Sequence, residues 1–112
     1  MKCKVYFTEA ALQDLKRLPM KLQEKCLDML DKLENNLHLG QALENKNGRD
    51  LTGYYKIYFD NARYRIVYKK CEKKIEVEEI IITAKIAEIW GIGPRHNENI
   101  YKMVAQRIQN KG

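Results

Sequence analysis

Tyr54-Tyr55-Lys56-Ile57-Tyr58-Phe59, followed by Asp60-Asn61-Ala62 and then Arg63-Tyr64-Arg65-Ile66-Val67-Tyr68, is the stretch on which the fold turns. Its hydrophobic period is two, and β-branched and aromatic residues fill both halves, so it predicts a β-hairpin with its turn at Asp60-Asn61. Successive side chains of a strand point to opposite faces. Tyr55, Ile57 and Phe59 therefore share one side of the first strand, and Lys56 and Tyr58 share the other. In the second strand Tyr64, Ile66 and Tyr68 go one way while Arg63 and Arg65 go the other. The apolar sets must face a layer of helices, which gathers Lys56, Tyr58, Arg63 and Arg65 on the opposite, open face. Antiparallel sheets often have one solvated face, and that is the plainest account of the cluster. Yet cations on neighbouring strands repel, and an anionic ligand would offset that cost.

The segments on either side supply the helices. Residues 3–7 are rich in Val, Tyr and Phe and suit a short first strand. Thr8 has the chemistry of an N-cap, and Leu12, Leu15 and Leu18 form an apolar stripe, predicting a helix over 8–18. Pro19 breaks that helix and opens a second, where Leu22, Cys26, Leu30, Leu33 and Leu37 recur at spacings of three and four. Gly40 is expected to end it, and residues 41–53, with Asn47-Gly48 inside, read as a loop. Beyond the hairpin, the charged run 71–79 predicts the extended end of a second hairpin. Residues 80–92 are apolar and β-branched, but Ala84-Lys85-Ile86-Ala87-Glu88 fits strand, bulge or helical turn equally. Gly91 and Gly93-Pro94 punctuate the chain before a last helix carrying Ile100, Met103, Val104, Arg107 and Ile108. The expected order is βααβββα, an α+β fold in which an N-terminal strand and a helical hairpin pack on a small antiparallel sheet with a C-terminal helix.

Composition bounds the function. A chain of 112 residues fits one domain spanning 1–112. The formal charge is +6, with nine Lys/Arg against eight Asp/Glu in residues 1–53 and twelve against seven in residues 54–112. A basic second half favours polyanions, nucleic acid first among them. Cys3, Cys26 and Cys71 are odd in number and widely spaced, which argues against a disulfide framework and a zinc site and for reduced, buried thiols. No carboxylate–His cluster has ligand spacing, so neither a metal nor a small-molecule cofactor is expected. The N-terminus lacks an apolar run suited to secretion or membrane insertion, and a cytoplasmic protein without a membrane partner is expected.

Leu51-Thr52-Gly53-Tyr54-Tyr55-Lys56-Ile57-Tyr58, Ala62-Arg63-Tyr64-Arg65-Ile66-Val67-Tyr68, Ile92-Gly93-Pro94-Arg95 and Asn99-Ile100-Tyr101, ending near Arg107-Ile108, resemble in order and spacing the RelE/ParE toxin superfamily. Each block alone is weak, but the ordered set covers nearly the whole chain, and the superfamily's fold agrees with the order derived above. The resemblance implies the toxin of a type II toxin–antitoxin system, whose partner is a cognate antitoxin protein. In the RelE-like branch it implies an endoribonuclease (mRNA interferase) that cuts mRNA on the ribosome. Residue matching then makes Lys56, Arg65, Arg95 and Tyr101 the catalytic set, with Tyr58 and Arg63 binding RNA. Two departures stand out. Tyr58 replaces a second strand lysine of the best-known members, and the stretch 71–91 is longer than theirs.

The implied reaction is attack of a ribose 2′-hydroxyl on the adjacent phosphorus. The hydroxyl must lose a proton, the phosphoryl charge must be stabilised, and the departing 5′-oxygen must be protonated. Arg65 suits the second task, because a planar guanidinium binds two phosphoryl oxygens in a fixed geometry. Arg95 would assist the leaving side, and Tyr101 would orient the 2′-hydroxyl or stack on a base. The base stays open, since lysine and tyrosine have reference pKa values of about 10.4 and about 10, although neighbouring cations depress a phenol or an ammonium. His96 is set aside as a residue near a helix start, His38 as one at a helix end, and Trp90 as packing. Two alternatives share the fold: a ParE-like inhibitor of DNA gyrase, and a non-catalytic relative that only binds its antitoxin.

Overall fold

The first strand is short because the chain needs only four residues to reach the cap that starts a helix. In the computed structural model, which describes residues 3–46 and 49–111, β1 is Lys4–Phe7 and α1 is Glu9–Arg17. Thr8 caps α1 as expected, its hydroxyl accepting from the Ala11 amide at 3.2 Å. Pro19 then precedes α2, Met20–Asn35. That helix ends earlier than Gly40. The glycine serves a close approach instead, since a Cβ there would lie 2.5 Å from Tyr68 Oη. The Gly40 amide donates to that oxygen at 3.0 Å, and Tyr68 in turn donates to the Leu37 carbonyl at 3.0 Å.

Three two-residue strands, β2 (Gln41–Ala42), β3 (Asn45–Lys46) and β4 (Arg49–Asp50), occupy the segment expected to be a loop. The Asn47-Gly48 turn falls outside the described residues. The hairpin follows as β5, Tyr54–Phe59, and β6, which runs from Tyr64 to Val77. Its connection holds Asp60, Asn61 and Ala62 all at positive φ. β7, Ile80–Pro94, is a single long strand, so residues 84–88 are extended and not helical. The bulge lies further on, where the register slips between Val67 and Tyr68 and leaves Trp90 opposite no β6 residue. A 3₁₀ turn at His96–Glu98 leads into α3, Asn99–Lys111.

The sheet order is β1-β7-β6-β5-β2, with β1 parallel to β7 and every other pair antiparallel. Each face carries its own core, because the alternating side chains of β5, β6 and β7 are apolar on both sides. Ile57, Phe59, Ile66, Tyr68, Ala87 and Ile89 bury against Cys26, Leu30 and Leu33 of the helical hairpin. On the other face Leu51, Tyr54, Val67 and Trp90 pack with Ile100, Tyr101 and Val104 of α3. The face predicted to be open is therefore half covered. Trp90 is packing, edge-on to Tyr54 with ring centroids 5.8 Å apart. Cys3, Cys26 and Cys71 form no disulfide among the described residues; the first two are buried, and burial pushes Cys26 up to about 12.

Candidate functional site

Three neighbouring elements build the site on the α3 face. Register places Tyr58 of β5 directly opposite Arg65 of β6, and Lys56 two residues along on the same side. From above, α3 brings Tyr101. It comes that close because β7 presents Gly91, where a Cβ would lie 2.5 Å from Val104 Cγ2 and 3.1 Å from Ile100 Cδ1.

The four side chains converge. The Arg65 guanidinium carbon lies 4.8 Å from the centre of the Tyr101 ring and 5.0 Å from that of Tyr58. Its Nη1 donates to the Tyr101 hydroxyl. The Lys56 ammonium lies 5.5 Å from the Tyr58 ring centre and 5.9 Å from that of Tyr101. Such contacts hold a cation over the negative face of a ring. Arg65 Nε is buried with no hydrogen-bond partner among the described residues. A buried donor of that kind costs free energy until an acceptor arrives.

The two phenols are driven in opposite directions. The Lys56 ammonium beside Tyr58 lowers its pKa, helped by Arg65 and Arg95 against a smaller opposing effect of burial. Burial pushes Tyr101 up, and the charges of Lys56 and Arg65 only partly counter it. Tyr58 is thus the phenol that gives up its proton more readily, and Tyr101 the one that keeps it. The sequence had suggested Tyr58 only as an RNA contact.

Beside this cluster lies a cavity of about 320 Å³, with Lys56, Arg65 and Tyr101 along one wall and Leu43, Arg49, Leu51 and Glu98 on the others. Arg49 Nη2 meets Glu98 Oε2 at 2.7 Å, tying the segment before β5 to the 3₁₀ turn before α3. Neither residue was singled out from sequence, because nothing local marks a pair 49 positions apart.

Arg63 and Arg95 stand together but apart from the cavity. β6 begins at Tyr64, so Arg63 still belongs to the turn, where its Nε lies 3.9 Å from Asp60. The Arg95 amide donates to the Arg63 carbonyl at 2.8 Å. With His96 both line a second, shallower depression at the end of the sheet. Of the charges that lower the Tyr58 pKa, that of Arg95 contributes least.

A small α+β fold with a helical hairpin on one sheet face and, beneath a C-terminal helix on the other, a cavity lined by Lys56, Arg65 and Tyr101 is the architecture that a related protein must match. The family model for the ParE toxin of type II toxin–antitoxin systems matches residues 5–87, and the chain belongs to that family, within the RelE/ParE toxin superfamily. The match ends before Arg95 and Tyr101. Among solved structures, a mutant of the Escherichia coli toxin RelE in the free state is similar over 96% of this chain and 99% of its own, with 20% identity and a TM-score of 0.65. The toxin–antitoxin complex RelBE2 from Mycobacterium tuberculosis contains a chain 23% identical, covering 85% of this chain and 100% of that one at a TM-score of 0.59. The archaeal RelE–RelB complex from Pyrococcus horikoshii gives 19% identity, 87% and 99% coverage, and 0.56. At these identities the likeness is one of fold. No curated protein sequence matches the chain significantly.

Proposed function

We propose that this toxin is a ribosome-dependent mRNA endonuclease, an enzyme that cuts by attack of a 2′-hydroxyl on the adjacent phosphorus. The observation that carries the reading is the convergence of Arg65, from the sheet, with Tyr101, from α3, in the wall of a cavity that Lys56 also lines. Arg65 holds the non-bridging oxygens of the scissile phosphate through its terminal nitrogens as charge builds in the transition state. Tyr58, as its phenolate, takes the 2′ proton, the new bond forms between the 2′-oxygen and phosphorus, and the bond to the 5′-oxygen breaks. That oxygen takes a proton from the Lys56 ammonium, leaving a 2′,3′-cyclic phosphate and a 5′-hydroxyl. Tyr101, kept protonated by burial, positions Arg65 and the ribose. Arg63 and Arg95 hold the backbone on the leaving side.

No side chain here is well matched to neutral pH, so positioning on the ribosome supplies much of the acceleration. In a reconstituted translation reaction with mapped mRNA ends, the protein should cut mRNA on ribosomes and leave the free transcript intact. Arg65→Ala should lower the cleavage rate about a hundredfold or more. Efficient cutting of naked RNA, or full activity of the variant, would refute the reading.

A second reading, inhibition of DNA gyrase, is favoured by the ParE family match and by its ending short of Tyr101. A gyrase cleavage assay run alongside separates the two, because only a gyrase poison yields broken DNA. Under either reading the partner is an antitoxin protein, as in the complexes of similar fold. We further propose that the chain is one domain, since its two cores share one sheet, and that it acts in the cytoplasm. No helix among the described residues is long and apolar enough to cross a membrane.

A further inference from the structure

We propose that two copies of this chain pair through the free edge of β7 at residues 80–85, as a two-fold dimer with Ile82 on its axis. The inference is independent of the catalytic reading.

The β6–β7 ribbon runs well past the rest of the sheet. β5 leaves β6 at Lys69, and β1 meets β7 only from Ile86 onward, so residues 70–77 and 80–85 have no strand on their outer sides among the described residues. The two free edges differ. That of β6 carries Lys70, Glu72, Lys73, Lys74 and Glu76, the charged pattern by which natural edges resist pairing. That of β7 reads Ile80-Ile81-Ile82-Thr83-Ala84, uncharged until Lys85. Ile80, Ile81 and Ile82 are 64%, 69% and 46% exposed. Three consecutive β-branched side chains left in water on an unpaired strand mark a surface built for another strand.

Its charges select a second copy and one register. Residues directly opposed across an antiparallel pair project to the same face, so a two-fold axis normal to the sheet must set a residue against its own counterpart. With Ile82 on the axis, Thr83 faces the partner's Ile81, Ala84 faces the partner's Ile80, and Lys85 lies beside the partner's turn at Glu79, twice by symmetry. Moving the axis to Ile81 carries Lys85 past the end of the partner's β7, where the chain has turned back toward β6 at Glu78 and Glu79. Moving it to Thr83 sets Ile80 against the partner's Ile86, a position already paired with Lys4 of β1. Cys3, just before β1, has its amide donating to the Glu34 carbonyl at 2.9 Å. Pairing also joins the apolar faces of two ribbons, Ile75, Val77, Ile80, Ile82 and Ala84 from each. One such edge per chain closes the assembly at two.

Sedimentation equilibrium of the full chain over a concentration series tests this. The wild type should show a monomer–dimer equilibrium. Glu79→Lys and Lys85→Glu should each weaken it about tenfold or more, because each opposes like charges twice. The double exchange should restore it to within about threefold. Ile82→Lys should leave a monomer with an unchanged far-ultraviolet circular dichroism spectrum. A wild-type monomer at every concentration, open-ended aggregates, a double exchange that fails to restore pairing, or an edge filled only when an antitoxin is added would each overturn the dimer.

Discussion

A phenol beside an ammonium ionises more readily than one enclosed by apolar groups, and the site holds one of each. Lys56 draws the pKa of Tyr58 down, whereas burial holds that of Tyr101 up. If Tyr58 is the base, cleavage on programmed ribosomes should quicken with pH and level off below the ordinary tyrosine value of about 10. Tyr58→Phe should lower the single-turnover rate about a hundredfold and flatten that limb, while Lys56→Ala should move it to higher pH. An unaltered profile in the Phe variant would assign the proton to another group. Lys56, Tyr58 and Arg65 were legible as neighbours in the sequence because a strand's period of two fixes which side chains share a face. Tyr101 joined them only through the family resemblance, as its meeting with Arg65 depends on where a separate helix docks. Arg49 and Glu98 carried no local signal at all.

That docking is an element-scale matter, settled by missing side chains. At Gly91 an added methyl would sit 2.5 Å from Val104 Cγ2, inside any tolerable contact, whereas at Gly93 the nearest atom, Ile100 Cδ1, is 3.4 Å away. Gly91→Ala should therefore push α3 outward, costing about 1–3 kcal/mol and reducing cleavage by lifting Tyr101 from Arg65. Gly93→Ala should cost less than about 1 kcal/mol. Urea denaturation of both variants makes the comparison, and equal losses would mean that α3 does not rest on Gly91. Helices α1 and α2 and the β5–β6 hairpin were readable because their periods are clean and a cap or a proline marks where they begin. The 71–91 segment was not. Its β6 half is mostly charged, its middle has helix-like spacing, and its turn is made by Glu78 and Glu79 at φ 50° and 69°, without the Gly or Asn that ordinarily announces left-handed backbone. Pairing over the whole length of the two strands imposes an extended form that local preference leaves undecided.

Across the molecule, one buried ion pair joins the layers. Asp14 of α1 accepts from both Arg107 terminal nitrogens, at 2.6 and 2.9 Å, and from the Ile92 amide of β7 at 3.1 Å. Arg107 also donates to the Trp90 carbonyl at 3.0 Å, at the bulge. α1, β7 and α3 are thereby held at a common point, although α1 and α3 lie at opposite ends of the chain. Neither half was read from the sequence, where Leu12, Leu15 and Leu18 marked the stripe of α1. Asp14 falls on the buried stripe of α1, three residues from Ala11 and four from Leu18, and an acid in such a place needs a partner. Nothing in the sequence points across 93 positions to Arg107. Removing one member of a buried pair strands the other, so Asp14→Ala should cost about 3–5 kcal/mol in urea denaturation. Asp14→Ala combined with Arg107→Met should recover part of that loss, since no unpaired charge then remains. A cost below about 1 kcal/mol for the single change would show that the pair is screened by solvent. If the toxin is the proposed nuclease, Asp14→Ala should also slow cleavage in conditions where the protein is still folded, because α3 carries Tyr101 to Arg65; an unchanged rate would mean that the ion pair serves stability alone.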